Sequence, residues 1–336
     1  MTYYRPIPST DRARPTGAFP LAGGWAWFDT VEAMHRDAPS RLLPAADIPA
    51  DALENLTAPR APITGLSFDA PRLMGILNVT PDSFSDGGEH FSPDAALAHA
   101  RAMTEQGADI LDIGGESTRP GAEEVDIEEE IRRTAPVIGA IRAEMATPIS
   151  IDTRKAPVAR AAHEDGADLV NDVAGFTFDP ALAPYCVENG LPVCVMHAQG
   201  TPDIMQKDPR YDNVALDVYD HLAARVTALE TLGIPRDRII VDPGIGFGKT
   251  LDHNLTLLQN LALFHGLGCA VLLGASRKRF IGTIGGAESA RHRAPGSVAV
   301  ALAGVAQGVQ LLRIHDVRET AEALRLWQAA TLGRLP

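Results

Sequence analysis

From about residue 72 onward the sequence repeats one pattern: a short apolar run, a polar or glycine-rich turn, and an amphipathic helical stretch. This alternation is typical of βα units, in which each helix returns the chain so that the next strand lies parallel to the last. We expect strands at 73–79, 109–113, 148–151, 168–171, 192–196, 239–241, 270–273 and 311–314. Strands in this number, with helices between them, favour a closed TIM (β/α)8 barrel over an open α/β sheet.

Helical periodicity is clear in the stretches between these strands. It predicts helices at 93–106, 127–144, 156–165, 211–232 and 317–330, with glycines at several of their ends. Residues 1–70 do not follow the repeat; they contain many prolines and a helical stretch near 30–36. We therefore divide the chain into a partly ordered N-terminal extension, residues 1–70, of unknown function, and a pterin-binding barrel, residues 71–336, for which the motifs below argue.

Composition limits the classes of function. With 45% apolar and 22% charged residues, the 336-residue chain has the composition of a soluble globular protein with a large core. The net charge of −13 argues against a nucleic-acid or anionic-membrane partner, because either needs a basic face. Cys186, Cys194 and Cys269 show no paired spacing, and no stretch has the length of a signal or membrane segment. We expect a cytoplasmic protein with buried thiols.

The stretch at 242–250, DPGIGFGKT, resembles a phosphate-binding loop at first sight. A P-loop needs a glycine five residues before its Gly-Lys-Thr, and Pro243 stands there without an N–H to offer. The dinucleotide fingerprint fails as well, because Gly244, Gly246 and Gly248 are spaced by two and two. The stretch instead presents Asp242 at the end of an apolar run that opens into a flexible turn.

Polar residues follow nearly every predicted strand. They are Asn78, Asp112, Asp152, Asn171, Asp172, His197, Asp242, Ser276, Arg313 and His315. Each alone suits a helix cap or a turn. In a barrel, however, the carboxyl ends of the strands form one mouth, where gathered polar groups indicate a ligand site.

Eight motifs occur in one order along the chain. They are GILNVTPDSFSDGG at 75–88, DIGGESTRPG at 112–121, SIDT at 150–153, NDVAG at 171–175, VMH at 195–197, DPGIGFGK at 242–249, GASRK at 274–278 and RIHDV at 313–317. Together they resemble the dihydropteroate synthase family from about residue 73 to the C-terminus. The resemblance implies a folate-pathway transferase on a (β/α)8 barrel. It would join 6-hydroxymethyl-7,8-dihydropterin diphosphate to 4-aminobenzoate, with Mg²⁺, and release pyrophosphate and 7,8-dihydropteroate. It also implies a homodimer and a sulfonamide target.

A pterin edge presents an amine and a ring N–H side by side, and one carboxylate such as that of Asp242 can accept from both. The resemblance assigns pterin binding to Asp152, Asn171, Met196, Asp242, Phe247 and Lys278, and catalysis to Asp152, Lys278 and Arg119. A carboxylate at Asp152 would stabilise the positive charge that develops as diphosphate departs, although helix capping is an alternative role. We expect Lys249 to neutralise the mouth or to pair with a carboxylate.

Departing diphosphate needs cations, and Arg313 and His315, two apart in an extended strand end, aim at one face. By resemblance the diphosphate contacts are Asn78, Thr118, Arg119, Arg313 and His315, and Asn78 gives its oxygen to Mg²⁺. The aminobenzoate contacts are Phe84, Thr118, Pro120, Ser276, Lys278 and Arg279. Some relatives carry serine where this chain has Arg279, so that backbone amides and the guanidinium would receive the benzoate here.

Two other functions stay open at this point. A pterin-dependent methyltransferase domain would keep Asp242, Asn171 and Asp152 but would not need the diphosphate group. A non-catalytic pterin-binding scaffold would show the loss of a loop residue or of the terminal Arg-Ile-His, and the sequence retains them all. The joint presence of Arg119, Arg313 and His315 favours the synthase.

Overall fold

The computed structural model describes residues 1–80, 93–117, 124–200, 205 and 208–333. The N-terminal part forms β1 (Tyr3–Pro6), β2 (Phe19–Pro20), β3 (Trp27–Phe28), β4 (Thr30–Met34), β5 (Arg41–Pro44) and helix α1 (Ala50–Thr57). Strands β1, β4 and β5 form one antiparallel sheet, and β2 and β3 form a second. The helix predicted near 30–36 is therefore wrong. Val31 and Ala33 are buried while their neighbours are only partly so, which is the period of two of a strand.

The barrel is closed by eight strands: β6 (Arg72–Asn78), β7 (Ile110–Gly114), β8 (Ile149–Asp152), β9 (Leu169–Asp172), β10 (Val193–Met196), β11 (Ile239–Asp242), β12 (Ala270–Leu273) and β13 (Leu311–Ile314). All neighbouring pairs are parallel, including β13 with β6. The predicted strands and the TIM barrel are thus confirmed. Most of these strands are buried along their whole length, as expected when helices cover a parallel sheet.

The helices of the barrel are α2 (Pro93–Gln106), α3 (Ile127–Glu144), α4 (Ala156–Glu164), α5 (Leu182–Glu188), α6 (Val214–Leu232), α7 (Leu251–Gln259), α8 (Arg279–Gly285), α9 (Ala294–Ala306) and α10 (Val317–Leu332). Four of them, α5 and α7 to α9, were not among the helices predicted from periodicity. Helix α6 begins at Val214 rather than at residue 211, because the Asn213 side chain accepts from the Leu216 N–H and caps the helix there. Among the described residues, no helix combines the length and the apolar character that a bilayer crossing needs.

The N-terminal extension lies against the barrel. Ile63 and Phe68 are buried with Met74, Ile110 and Leu169, which lie inside the barrel near the amino ends of its strands. Arg60 donates to the carbonyl oxygens of Cys269 and His265, at 3.0 Å each, and thereby ties the extension to the last turns before β12. The amino end of the barrel is thus closed by apolar side chains, and the polar groups gather at the carboxyl end.

Candidate active site

The register of the strands lines up the predicted polar residues at the carboxyl end of the barrel. Asn78 lies opposite Gly114, Gly114 opposite Asp152, and Asp152 opposite Asn171. Farther round the barrel, Met196 lies opposite Asp242. The side chains that follow separate strands in the sequence therefore share one mouth.

Arg313 of β13 lies between two carboxylates of this mouth. Its Nε donates to Asp112 Oδ2 and its Nη2 donates to Asp152 Oδ2, each at 2.6 Å. Burial opposes the charge on the guanidinium, but the two carboxylates outweigh it and hold the pKa of Arg313 above its ordinary value. Arg313 is a fixed cation whose orientation is set by two partners.

Asp112 is a site residue to which the sequence analysis gave no role. Its side chain is fully buried, and Asn171 Nδ2 lies 3.3 Å from Asp112 Oδ2, so the carboxylate faces both Arg313 and Asn171. The signal that could have found it is its position at the end of a predicted strand in the DIGGESTRPG motif. Its partner Arg313 lies 201 residues away, however, and nothing local indicates that pair.

Asp152 does not cap the helix that follows it. The N-cap of α4 is Lys155, and the N–H of Ala156 donates to Asp179 instead. Burial raises the pKa of Asp152; the charge of Arg313 opposes this rise and the charge of Asp112 adds to it. Because Asp112 and Asp152 share one guanidinium, the pair carries net negative charge, which stabilises positive charge that develops nearby.

Asp242 ends β11 and begins the glycine-rich turn. Its Oδ1 accepts from the Gly244 N–H at 2.7 Å; burial raises its pKa, while that hydrogen bond and the charge of Lys278 lower it. Gly244 has φ +67°, and a Cβ on it would lie 1.9 Å from the His197 carbonyl oxygen. Only glycine lets the turn pass the end of β10 at this point.

Three further predicted pterin residues surround this turn. The Lys278 Nζ lies 3.9 Å from the centre of the Phe247 ring, in cation–π contact. Met196 is buried, and its Cγ lies 3.2 Å from the position that a Gly244 Cβ would take. The turn therefore brings an aromatic face, a thioether and an ammonium group close to Asp242.

Lys249 is buried under the same turn. Its Nζ donates to the Phe247 carbonyl and to His197 Nδ1, at 2.9 Å each. Burial lowers the pKa of Lys249 to about 7 and that of His197 to about 2, so His197 is the neutral acceptor. No carboxylate of the described part of the chain lies within ion-pair distance of Lys249, so its predicted carboxylate partner is wrong for these residues. Lys249 fastens the turn to the end of β10.

The residues predicted for the benzoate and diphosphate lie at neighbouring strand ends. Ser276 Oγ accepts from the backbone N–H of His315 at 3.1 Å and lies 3.0 Å from His315 Nδ1. Arg279 is exposed and begins α8, directly after Lys278. Phe84, Thr118, Arg119 and Pro120 lie outside the described residues.

Asn78 is the predicted contact for Mg²⁺. Asn78 Oδ1 and Asp152 Oδ2 each lie 3.7 Å from the point where a Cβ on Gly114 would stand, so two oxygens face a space that no side chain fills. Within the described residues, no group of three or more His, Cys, Asp or Glu side chains could hold a metal ion. The oxygens present suit a hard cation that takes most of its ligands from water and a substrate phosphate.

The chain resembles proteins of known function over most of its length. The family described as Pterin binding enzyme matches residues 74–315. The dihydropteroate synthase of Escherichia coli (strain K12) is 45% identical over 269 residues, which cover 79% of this chain and 94% of the relative.

Two solved structures are also similar. Dihydropteroate synthase of Xanthomonas albilineans, with 4-aminobenzoic acid, has a TM-score of 0.75 and 46% identity, and covers 81% of this chain and 96% of that chain. The Yersinia pestis enzyme, in a sulfonamide drug complex, has a TM-score of 0.76 and 42% identity, with coverages of 80% and 98%. On this identity and coverage, together with the arginine-bridged carboxylates of its mouth, the chain belongs to the dihydropteroate synthase family of pterin-binding enzymes.

Proposed function

We propose that the mouth of the barrel joins 6-hydroxymethyl-7,8-dihydropterin diphosphate to 4-aminobenzoate, with the roles set out below. The observation that carries the proposal is the Arg313 guanidinium held between Asp112 and Asp152, on the same barrel end as Asp242. We assign this machinery to residues 71–336 and treat residues 1–70 as an extension. A cytoplasmic location fits the three free, buried cysteines.

The pterin is held by the groups around the glycine-rich turn. Asp242 accepts from the amine and ring N–H of the pterin edge, because its Oδ2 is left for a ligand while Oδ1 accepts from Gly244. Asn171 offers an amide to another edge, and Met196, Phe247 and Lys278 line the ring. Charge-assisted paired bonds fix orientation as well as affinity.

The reaction breaks the bond between the pterin methylene carbon and the diphosphate oxygen, and the electron pair leaves with diphosphate. Asp152 and Asp112 stabilise the positive charge at the methylene, while Arg313, His315, Thr118 and Arg119 receive the anion. The amine nitrogen of 4-aminobenzoate then forms the new C–N bond and loses a proton. Phe84, Thr118, Pro120, Ser276, Lys278 and Arg279 are assigned to the aminobenzoate.

Asn78 would hold Mg²⁺ through its side-chain oxygen, with diphosphate oxygens and waters as the remaining ligands. When bound, the ion neutralises charge on the diphosphate. In Asn78→Ala, we expect the Mg²⁺ concentration that gives half-maximal rate to rise about tenfold, because one oxygen ligand is lost. Steady-state rates over a Mg²⁺ titration measure this. An unchanged Mg²⁺ dependence in an otherwise active variant would contradict the assignment.

We propose a homodimer that forms through α9. The thirteen residues of α9 carry no charge, and Pro295, Ala299 and Ala303, four residues apart on one face, are exposed. An uncharged helix face of small residues suits close contact with its own copy across a two-fold axis.

In Ala299→Glu, two carboxylates would be buried at this contact, and we expect a monomer by light scattering after gel filtration. Ala98→Glu changes an exposed alanine of α2 and serves as the control that stays dimeric. A dimer that persists in Ala299→Glu places the interface elsewhere.

The function is tested by pyrophosphate release from pterin diphosphate, 4-aminobenzoate and Mg²⁺ with the purified chain. Competition by a sulfonamide against 4-aminobenzoate distinguishes the synthase from a methyltransferase, which has no aminobenzoate subsite. Pterin binding without pyrophosphate release would identify a scaffold and would overturn the proposal.

A further inference from the structure

A group of five buried polar side chains lies directly behind the ends of β7 and β8. This buried network consists of Glu116, Glu130, Thr153, Arg154 and Lys155. Lys155 Nζ lies 2.8 Å from Glu130 Oε2 and 3.3 Å from Glu116 Oε1. Arg154 donates to both oxygens of Glu116, at 3.0 and 3.1 Å. The network therefore balances two carboxylates with two cations.

The network holds one backbone unit of the following segment by both of its polar groups. The Val125 N–H donates to Glu116 Oε1 at 3.0 Å, and Lys155 Nζ donates to the Val125 carbonyl at 2.5 Å. Glu116 and Val125 are nine residues apart. Arg133 of α3 adds a bond of 2.9 Å to the Gly115 carbonyl at the start of the same segment. Both ends of the segment 117–124 are thus fastened to one buried cluster.

Stability does not by itself account for these charges. Burial of an ion pair costs desolvation energy, and apolar side chains of similar volume often stabilise a fold as well or better. The pKa of Glu130 shows the cost, since burial raises it although Lys155 and Thr153 donate to the carboxylate. What directional bonds provide, and apolar contacts do not, is a fixed position for the backbone that they hold.

We propose that Glu116 and Lys155 are positioning residues for the reaction. They hold the two ends of the segment 117–124 and thereby set where Thr118, Arg119 and Pro120 meet the diphosphate and the aminobenzoate. The inference rests on the proposed function of those three residues. A placement error of about 1 Å in such groups is enough to lower a rate about a hundredfold.

The double variant Glu116→Gln/Lys155→Met tests this inference, because it removes one charge of each sign and leaves Glu130 balanced by Arg154. We expect kcat/KM for pterin diphosphate and for 4-aminobenzoate to fall about a hundredfold. The Kd of the diphosphate-free pterin should change less than about twofold, because Asp242 and Asn171 bind it elsewhere in the mouth. Glu144→Gln removes an exposed carboxylate of α3 and serves as the control with unchanged kinetics.

Two outcomes overturn the inference: wild-type kinetics in the double variant, or an equal loss of affinity for both pterins, which would indicate a general disturbance of the mouth. Amide hydrogen exchange at residues 117–125 supplies a readout independent of catalysis, and we expect faster exchange in the double variant. If the wild-type chain releases no pyrophosphate, the proposed function fails, while the exchange rates still report whether the network holds the segment. Unchanged exchange rates would count against the inference in either case.

Discussion

Replacing Arg313 by alanine is expected to lower kcat/KM by about a thousandfold and to destabilise the fold as well. Arg313 is the cation of the described mouth that bonds to both Asp112 and Asp152, and its removal takes away a contact for the diphosphate. The same change leaves two carboxylates without their partner in the barrel, at a cost of about 3–5 kcal/mol. Pyrophosphate release measures the first effect, and thermal unfolding followed by circular dichroism measures the second.

The pH dependence of this variant separates a lost ion pair from a packing defect. Burial raises the pKa of Asp152 above its value in the unfolded chain, and Arg313 opposes that rise. Without Arg313 the rise is larger, so the folded state holds its proton more tightly and loses stability as the pH increases. The difference in Tm between variant and wild type should therefore be larger at pH 8 than at pH 5.

Two further variants bound this result. Arg313→Lys keeps a positive charge but cannot make two fixed bonds, so we expect part of the stability and little of the activity to return. Arg318→Ala removes an exposed arginine at the start of α10 and should match the wild type. A Tm difference in Arg313→Ala that does not depend on pH would show that the guanidinium acts by packing alone.

The substitution Asp242→Asn should also lower kcat/KM by about a thousandfold, or ~4 kcal/mol. The carboxylate can accept from two pterin donors, whereas an asparagine offers one oxygen and turns an N–H toward the second donor. Most of the loss should appear as weaker pterin binding, measured by calorimetry with the diphosphate-free pterin.

In contrast to Arg313→Ala, this variant should be at least as stable as the wild type. Burial raises the pKa of Asp242, so its ionised form costs folding free energy at neutral pH, and a neutral amide removes that cost. An asparagine oxygen can still accept from Gly244. Asp237→Asn, an exposed change just before β11, is the control. Tight pterin binding by Asp242→Asn would mean that another residue holds the pterin.

Several site residues could be predicted because local pattern and strand position coincide. Asn78, Asp152, Asn171 and Asp242 each end an apolar run, and the parallel register brings all four to one end of the barrel. The prediction near 30–36 failed because a short segment carries too few residues to separate the strand period from the helix period, and its pairing partners β1 and β5 lie outside it.

The partners of the charged groups could not be predicted in this way. Lys249 was expected to neutralise the mouth or to bond a carboxylate, and it bonds neutral His197, 52 residues away. Lys155 joins Glu116 across 39 residues, and Arg313 joins Asp112 across 201. The charge of a side chain restricts its possible partners to a class, but the approach of two strands or loops selects the partner.

The sequence by itself determined the barrel, the order of its strands and the kinds of polar group that stand at their ends, because apolar periodicity and strand termini are local properties of the chain. The tertiary structure alone decided that one guanidinium would serve two carboxylates and that a buried network would fasten the segment after β7. Electrostatic and hydrogen-bond energies depend on distance through space, and for β13 and β7 that distance is fixed only when the barrel closes.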